Sequence, residues 1–340
     1  MEPILHFGLG QDAIVKNAIV TWPDGKSETF TNLHLNQKIV VEYKNAVTYD
    51  PNTKNSAEPI FKDITEEMGH KHVHIENEYD DFAREILLPH KMSQFGPGLT
   101  VGDVNNDGLE DFFIGGAKGY EGVLYLQEGN GSFSPWKGST WNRDKEFEDV
   151  DAEFFDADND GDLDLYVVSG GNEWEADNGM YQDRLYINDG GDFSKSNDRL
   201  PTMTISGSTV KPYDFDEDGD MDLFVGSRMF PHKYPYFQTS KLLENVNGFF
   251  KDVTIKKAPA LQYAGMITDA IWTDYDGDNK TDLIVVGEWT GIGFYKNKNG
   301  RLEPSPDVLP QSQGWWNCVE AFDMDSDGDM DFVVGNLGLN

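Results

Sequence analysis

Short apolar runs recur along the chain at a nearly even interval. FFIGG (112–116), LYVVSGG (165–171), LFVGS (223–227), LIVVGEW (283–289) and FVVGN (332–336) are rich in β-branched and aromatic residues and contain glycine at or near their ends. Runs of this length and composition predict buried strands. Four of them are followed by a second phrase: LYLQEGNGSF (124–133), LYINDGGDF (185–193), LLENVNGFF (242–250) and FYKNKNGRL (294–302). An Asn/Gly turn between two strand-like stretches predicts a hairpin. One period then holds about four strands in some 50 residues, the size of a β-propeller blade. A parallel β-helix has much shorter turns and does not fit. The fold class expected is all-β, with a small β module ahead of the repeats.

Ahead of each apolar run lies a nine-residue acidic loop: DVNNDGLED, DADNDGDLD, DFDEDGDMD, DYDGDNKTD and DMDSDGDMD. Positions 1, 3, 5 and 9 are Asp103, Asn105, Asp107 and Asp111 in the first. They are Asp156, Asp158, Asp160 and Asp164 in the second, and Asp214, Asp216, Asp218 and Asp222 in the third. The fourth has Asp274, Asp276, Asp278 and Asp282; the fifth has Asp323, Asp325, Asp327 and Asp331. Like charges at this spacing repel, and a hard divalent cation removes the conflict. Calcium takes six to eight oxygen ligands, and a tight loop can wrap alternate side chains around it. Position 7 offers a main-chain carbonyl, from Leu109, Asp162, Asp220, Lys280 and Asp329. Position 6 needs positive φ, which suits glycine; Asn279 in the fourth loop tolerates it better than most residues. Ca2+ is the cofactor expected, in a structural role.

An EF-hand needs Glu at position 12 and flanking helices. Position 12 here is Ile114, Val167, Val225, Val285 or Val334, inside a strand-like run. Dockerin repeats fail on the same ground. Thrombospondin-type repeats need many cysteines, and this chain has one.

The 340 residues carry 27 Lys and Arg against 61 Asp and Glu, a formal charge of −34. Five calcium ions would reduce this to about −24. That charge excludes a nucleic-acid footprint and docking onto anionic lipid. No apolar run is long enough to cross a membrane, so no direct insertion is expected. The single cysteine, Cys318, reads as a small core residue in a strand. Lack of disulfides favours a reducing compartment. Acidic loops of this kind suit millimolar extracellular calcium, which weighs more.

Residues 1–48 lack acidic loops. AIVTW, then PDGK, then ETF read as strand, turn and strand, with Pro and Gly setting the turn. QKIVVEY (37–43) reads as a further strand, and residues 49–59 as a polar linker. FGLG (7–10), WPDGK (22–26) and NQKIVV (36–41) resemble the ASPIC/UnbV module of bacterial proteins and cartilage acidic protein. The family module has strands upstream of FGLG, so the resemblance implies that the chain starts inside the module. Residues 60–340 resemble the FG-GAP/VCBS family, whose blades also build the integrin α-chain head. LLPHKMSQFGPGL (87–99), YQDRLYINDG (181–190) and GWWN (314–317) are similar to exported Bacteroidetes-type proteins that join both modules. The resemblance implies repeats continuing past residue 340. The expectation is thus a partial propeller, cut from a seven-bladed ring, whose last blade is incomplete. It also implies a surface lipoprotein on the outward side of an outer membrane, linked to glycan uptake.

Outside the loops, His70, His72 and His74 alternate and would share one face of a strand, a possible zinc or copper arrangement against three solvated histidines. Trp136, Trp141, Trp174, Trp289, Trp315 and Trp316 are candidates for sugar stacking or for packing between blades, with packing the commoner use. Trp174 stands in a polar insertion (170–184) of the kind that carries function on a propeller face. No GxSxG, HExxH or phosphate loop is present. The function expected is a calcium-stabilised, non-catalytic surface module binding protein or glycan. The alternative is a propeller scaffold of a polysaccharide hydrolase or lyase.

Overall fold

Four residues of the first hairpin set its turn. Trp22 and Gly25 close it through main-chain bonds, Trp22 N to Lys26 O and Gly25 N to Trp22 O, with Gly25 at φ 83°. The hairpin joins β1 (Ile14–Thr21) and β2 (Lys26–His34), and β3 (Val47–Thr48) pairs antiparallel with the start of β2. The computed structural model of the chain describes residues 14–34, 37–48, 61–69 and 72–338. It separates into two compact units, residues 1–64 and 65–340. In the first unit the strand expected at 37–43 does not form: residues 37–42 have no regular structure. Val40 is exposed there, and among the described residues no partner strand covers it. FGLG and the linker at 49–59 lie outside the described residues.

The second unit is a series of antiparallel sheets. The first blade comprises β4 (Leu99–Gly102), β5 (Asp111–Ile114), β6 (Val123–Gln127) and β7 (Phe133–Pro135). The second comprises β8 (Asp149–Phe155), β9 (Asp164–Ser169), β10 (Arg184–Asp189) and β11 (Asp192–Lys195). The third comprises β12 (Ser206–Tyr213), β13 (Asp222–Met229), β14 (Lys241–Val246) and β15 (Phe249–Asp252). The fourth comprises β16 (Met266–Thr273), β17 (Asp282–Thr290), β18 (Gly293–Asn297) and β19 (Leu302–Pro304). Then come β20 (Gly314–Phe322) and β21 (Asp331–Asn336), and β20 also pairs with the end of β17. A single α-helical turn, α1 (Thr254–Lys257), follows the third blade. The first strands β4, β8, β12, β16 and β20 pack side by side in chain order. Among the described residues no strand pairing returns from β20 or β21 to the first blade, so the array is an open, partial β-propeller.

Each acidic loop joins the first two strands of a blade in one register. The residue before position 1 pairs with position 9: Gly102 with Asp111, Phe155 with Asp164, Tyr213 with Asp222, Thr273 with Asp282, Phe322 with Asp331. The core lies between blades. Leu165, Val167 and Tyr186 of blade two meet Phe113 and Leu124 of blade one. Leu223, Val225 and Leu243 meet Tyr166, Val168 and Leu185, and Leu283 and Val285 meet Phe215, Phe224 and Leu242. Trp141 belongs to this packing, against Phe113, Tyr186 and Phe193, and Trp136 rests beside it. Burial of such side chains is the main stabilising term, each contributing about 1.5–3 kcal/mol. Cys318 is exposed rather than core, on a strand whose outer side nothing covers among the described residues. FKDIT at 61–65 is not a strand, although FKDVT at 250–254 begins in β15; Phe61 stands almost fully exposed.

Neighbouring blades are tied by one recurring asparagine. Asn188 Nδ2 donates to Val104 O in the preceding blade's loop and to Leu163 O in its own. Asn245 does the same to Ala157 O and Met221 O, and Asn297 to Phe215 O and Thr281 O. Each Asn Oδ1 accepts from the hairpin glycine three residues on, Gly191, Gly248 or Gly300. Asn245 is 1% exposed, so its partners would be stranded without it. Asn245→Ala should therefore lower stability by about 3 kcal/mol in urea denaturation of the calcium-loaded chain. Lys251→Ala, on an exposed site of β15, should change it by less than about 0.5 kcal/mol. Equal effects would remove the clamp from the account.

Candidate metal centres

The five loops share a main-chain path that their side chains build. Position 1 accepts from the amides of positions 5 and 6: Asp156 Oδ1 from Asp160 N at 3.2 Å and Oδ2 from Gly161 N at 3.0 Å. Asp103, Asp214, Asp274 and Asp323 repeat this. Position 5 accepts from the amide of position 7, from Asp107 Oδ1 with Leu109 N to Asp327 Oδ1 with Asp329 N. Position 6 has positive φ in every loop, 63° at Asn279. So does position 4, held by Asn106, Asn159, Glu217, Gly277 and Ser326, which the sequence pattern did not suggest.

Position 9 is the anchor. Asp164 is buried; its Oδ2 accepts from Ala157 N of the loop and its Oδ1 from Asn188 N on β10. Asp111, Asp222 and Asp282 make the same link to the third strand of their blades, through Gln127, Asn245 and Asn297. Burial pushes these carboxyls up, Asp164 to about 7, Asp222 to about 8 and Asp282 to about 6, and neighbouring loop aspartates push the same way. Asp111 is raised by burial too.

The ligand atoms converge. Carboxylate oxygens of Asp156, Asp158 and Asp164 lie within 4.8 Å of one another, as do those of Asp274, Asp276 and Asp282 and of Asp323, Asp325 and Asp331. In the third loop the set is Asp214, Asp216 and Asp218. The first loop has Asn105 at position 3, whose Oδ1 accepts from Asp107 N. In loops two, three and four the position-7 side chain is engaged outside its own loop. Asp162 binds Asn106 of the preceding loop and Gly190 N, Asp220 binds Asn159 and Asn247 N, and Lys280 binds Asn299. That leaves the main-chain carbonyl as the ligand expected at this position.

Whether a cation fits is answered by unused oxygens. Arg199 pairs with Asp158 Oδ2 at 2.8 Å and Lys257 with Asp216 Oδ2 at 2.5 Å. The other oxygen of each, Asp158 Oδ1 and Asp216 Oδ1, is buried with no hydrogen-bond partner, and so is Asp282 Oδ2. Lys296 bonds Asp276 and Asp278 in the fourth loop. A buried carboxylate oxygen left unpaired is costly, and these belong to the positions that calcium would use. The residues present therefore fit a hard divalent ion. Bound there, it would neutralise the cluster and tie loop, second strand and third strand together; Arg199, Lys257 and Lys296 balance part of the charge from outside the loop.

The other candidates are dispersed. His70 is outside the described residues. His72 and His74 lie in a segment without regular structure and go to separate partners: His72 Nδ1 meets Tyr125 OH at 3.0 Å and His74 Nε2 meets Glu76 at 2.7 Å. Trp174 is half-buried under Lys118, whose Nζ is 4.0 Å from the ring centre. Trp316 donates to Ser312 O. Trp289 is 63% exposed beside Trp315.

Two outcomes follow for calcium. In chelator, the raised position-9 carboxyls hold protons more tightly folded than unfolded. Their stabilisation is complete below the ordinary value of 3.8 and is lost as pH rises through about 6 to 8. Calcium binds the ionised form, so the melting-temperature gap between calcium and chelator should widen over that window in scanning calorimetry; a constant gap would contradict it. Asp160→Ala should lower the ions bound per chain by one and leave the other loops loaded, since repeats couple mainly to neighbours.

The ASPIC and UnbV family matches residues 1–48. No curated protein sequence matches the chain. Among solved structures, the crystal structure of the V. cholerae biofilm matrix protein Bap1 aligns at 16% identity with a TM-score of 0.38, covering 70% of this chain and 34% of that one. The chain spans about a third of that protein's length. The FG-GAP-like repeat family matches residues 103–167, 156–225 and 274–334, stretches that begin at position 1 of loops one, two and four and take in more than half of the chain. With its acidic loops, four-stranded blades and N-terminal ASPIC and UnbV match, this chain belongs to the FG-GAP-like repeat family.

Proposed function

We propose that the chain is a calcium-stabilised extracellular binding module without catalytic chemistry of its own, which presents the blade ends opposite the acidic loops to a protein or glycan at the cell surface. One observation carries this reading. At the end of β17, Trp289 stands exposed at φ 56°, a backbone region that costs a bulky residue energy. Its Nε1 donates to Tyr234 OH at 2.5 Å, and Trp315 lies 4.9 Å away between ring centres. Tyr234 OH donates to Glu288 Oε2 at 3.2 Å, and the buried Glu288 pairs with Arg228. An ion pair thus braces an exposed aromatic group from below. Rigid aromatic area of this kind suits sugar rings and protein hot spots, because little entropy is lost on contact.

Extracellular placement is supported by the loops, whose affinity class suits millimolar calcium. Among the described residues no helix is long and apolar enough to cross a membrane. Attachment at an outer membrane and a part in glycan uptake rest on the family resemblance. The competing reading, a hydrolase or lyase scaffold, is separated by experiment. A glycan array combined with an activity screen on the same polysaccharides should give binding without turnover; product formation would overturn the proposal. Trp289→Ala should weaken the ligand found at least tenfold, with the calcium-loaded melting temperature unchanged.

A further inference from the structure

A second set of buried oxygens lies at the strand ends away from the loops, between blades one and two. Glu148 immediately precedes β8, and Glu173 follows β9. Glu76 and Asn77 come from the segment ahead of β4, which has no regular structure at 72–80. Glu148 is 2% exposed. Its Oε2 accepts from Lys118 N at 2.9 Å, while its Oε1 is buried with no partner. The Glu173 side chain is 1% exposed; Oε1 accepts from Asn77 Nδ2, and Oε2 has no hydrogen bond. Glu76 Oε1 is held by His74, which leaves Oε2 buried and unpaired, and Asn77 Oδ1 is unpaired as well. Each of the four residues therefore has one buried oxygen without a hydrogen bond.

The charge there is not balanced. Against three glutamates stands Lys118, whose Nζ is 3.8 Å from Glu173 Oε2 and lies over the Trp174 ring. Nearby Asp81 is fully occupied by Met92 N, Ser93 Oγ and Asn172 Nδ2. Burial, with Glu76, Glu173 and Asp149 around it, pushes the Glu148 carboxyl up to about 8. A buried carboxylate left with an unpaired oxygen is relieved either by a proton or by a cation. Oxygen-only ligands select a hard ion over a thiophilic one.

We propose that Glu76, Asn77, Glu148 and Glu173 form a divalent-cation site of the calcium class, distinct from the repeat loops, that fastens the segment ahead of β4 to the first two blades. Four protein oxygens leave room for water in a shell of six to eight. Among the described residues only the repeat loops bring three carboxylates within 4.8 Å of one another. Closing this set on an ion requires the glutamate side chains to rotate toward one another.

The test uses equilibrium dialysis of the whole chain against millimolar calcium, counting ions per chain. Glu148→Gln keeps the shape and removes the charge. It should bind one ion fewer than the parent, and Glu148→Gln with Asp160→Ala two fewer. The first count is a difference and stands whether or not every loop fills; the second holds where loop two is filled. Terbium gives a second readout. Trp174, next to Glu173, should sensitise part of its emission, lost in Glu148→Gln and in Trp174→Phe but kept in Asp160→Ala. An unchanged ion count and unchanged emission in Glu148→Gln would overturn the site and make Glu148 a buried neutral acid.

Discussion

Carboxylates held close together are the constraint on which the propeller rests. Position 1 of each loop receives two amides and position 5 one, so the turn is formed around the charges themselves. Position 9 then pins the loop to the third strand. Because position 9 pairs with the residue before position 1, the loop sets the register of the first two strands. A shift of one residue would send Leu165 and Val167 to the wrong side of the sheet. Geometry at the acidic end and packing between blades are therefore one condition.

Much of this could be read from residues alone. The apolar runs, the hairpins and the loops recur at one interval, and repetition turns weak local signals into a firm reading. What escaped depends on neighbours in space. The asparagine clamp is written as Asn followed three residues later by Gly at 188, 245 and 297, but its partner in the preceding blade lies more than 80 residues away. Arg199, Lys257 and Lys296 carry no signal of their role in the sequence; the fold sets them beside position 3. The expected strand at 37–43 shows the converse: β-branched residues make a strand only where another strand receives them.

The two ends of the blades differ in kind. The loop end repeats one solution, which is what a structural part requires. The opposite end repeats a bulge near the start of β8, β12, β16 and β20, but not the side chains it presents. There Trp289, Tyr234 and Glu288 come together from two blades, and Glu76, Asn77, Glu148 and Glu173 from three chain segments. The proposed ligand recognition belongs to the end whose side chains vary most from blade to blade.

The asparagine clamp also has a direction. Each Asn reaches back to a carbonyl made earlier: Asn188 to Val104, Asn245 to Ala157, Asn297 to Phe215. The first blade has Gln127 at the equivalent place, so the backward-reaching asparagine begins with the second. During synthesis every new blade meets an acceptor that is already in place and has stayed open until its asparagine emerged. The array can be assembled as it emerges, one blade docking on the last.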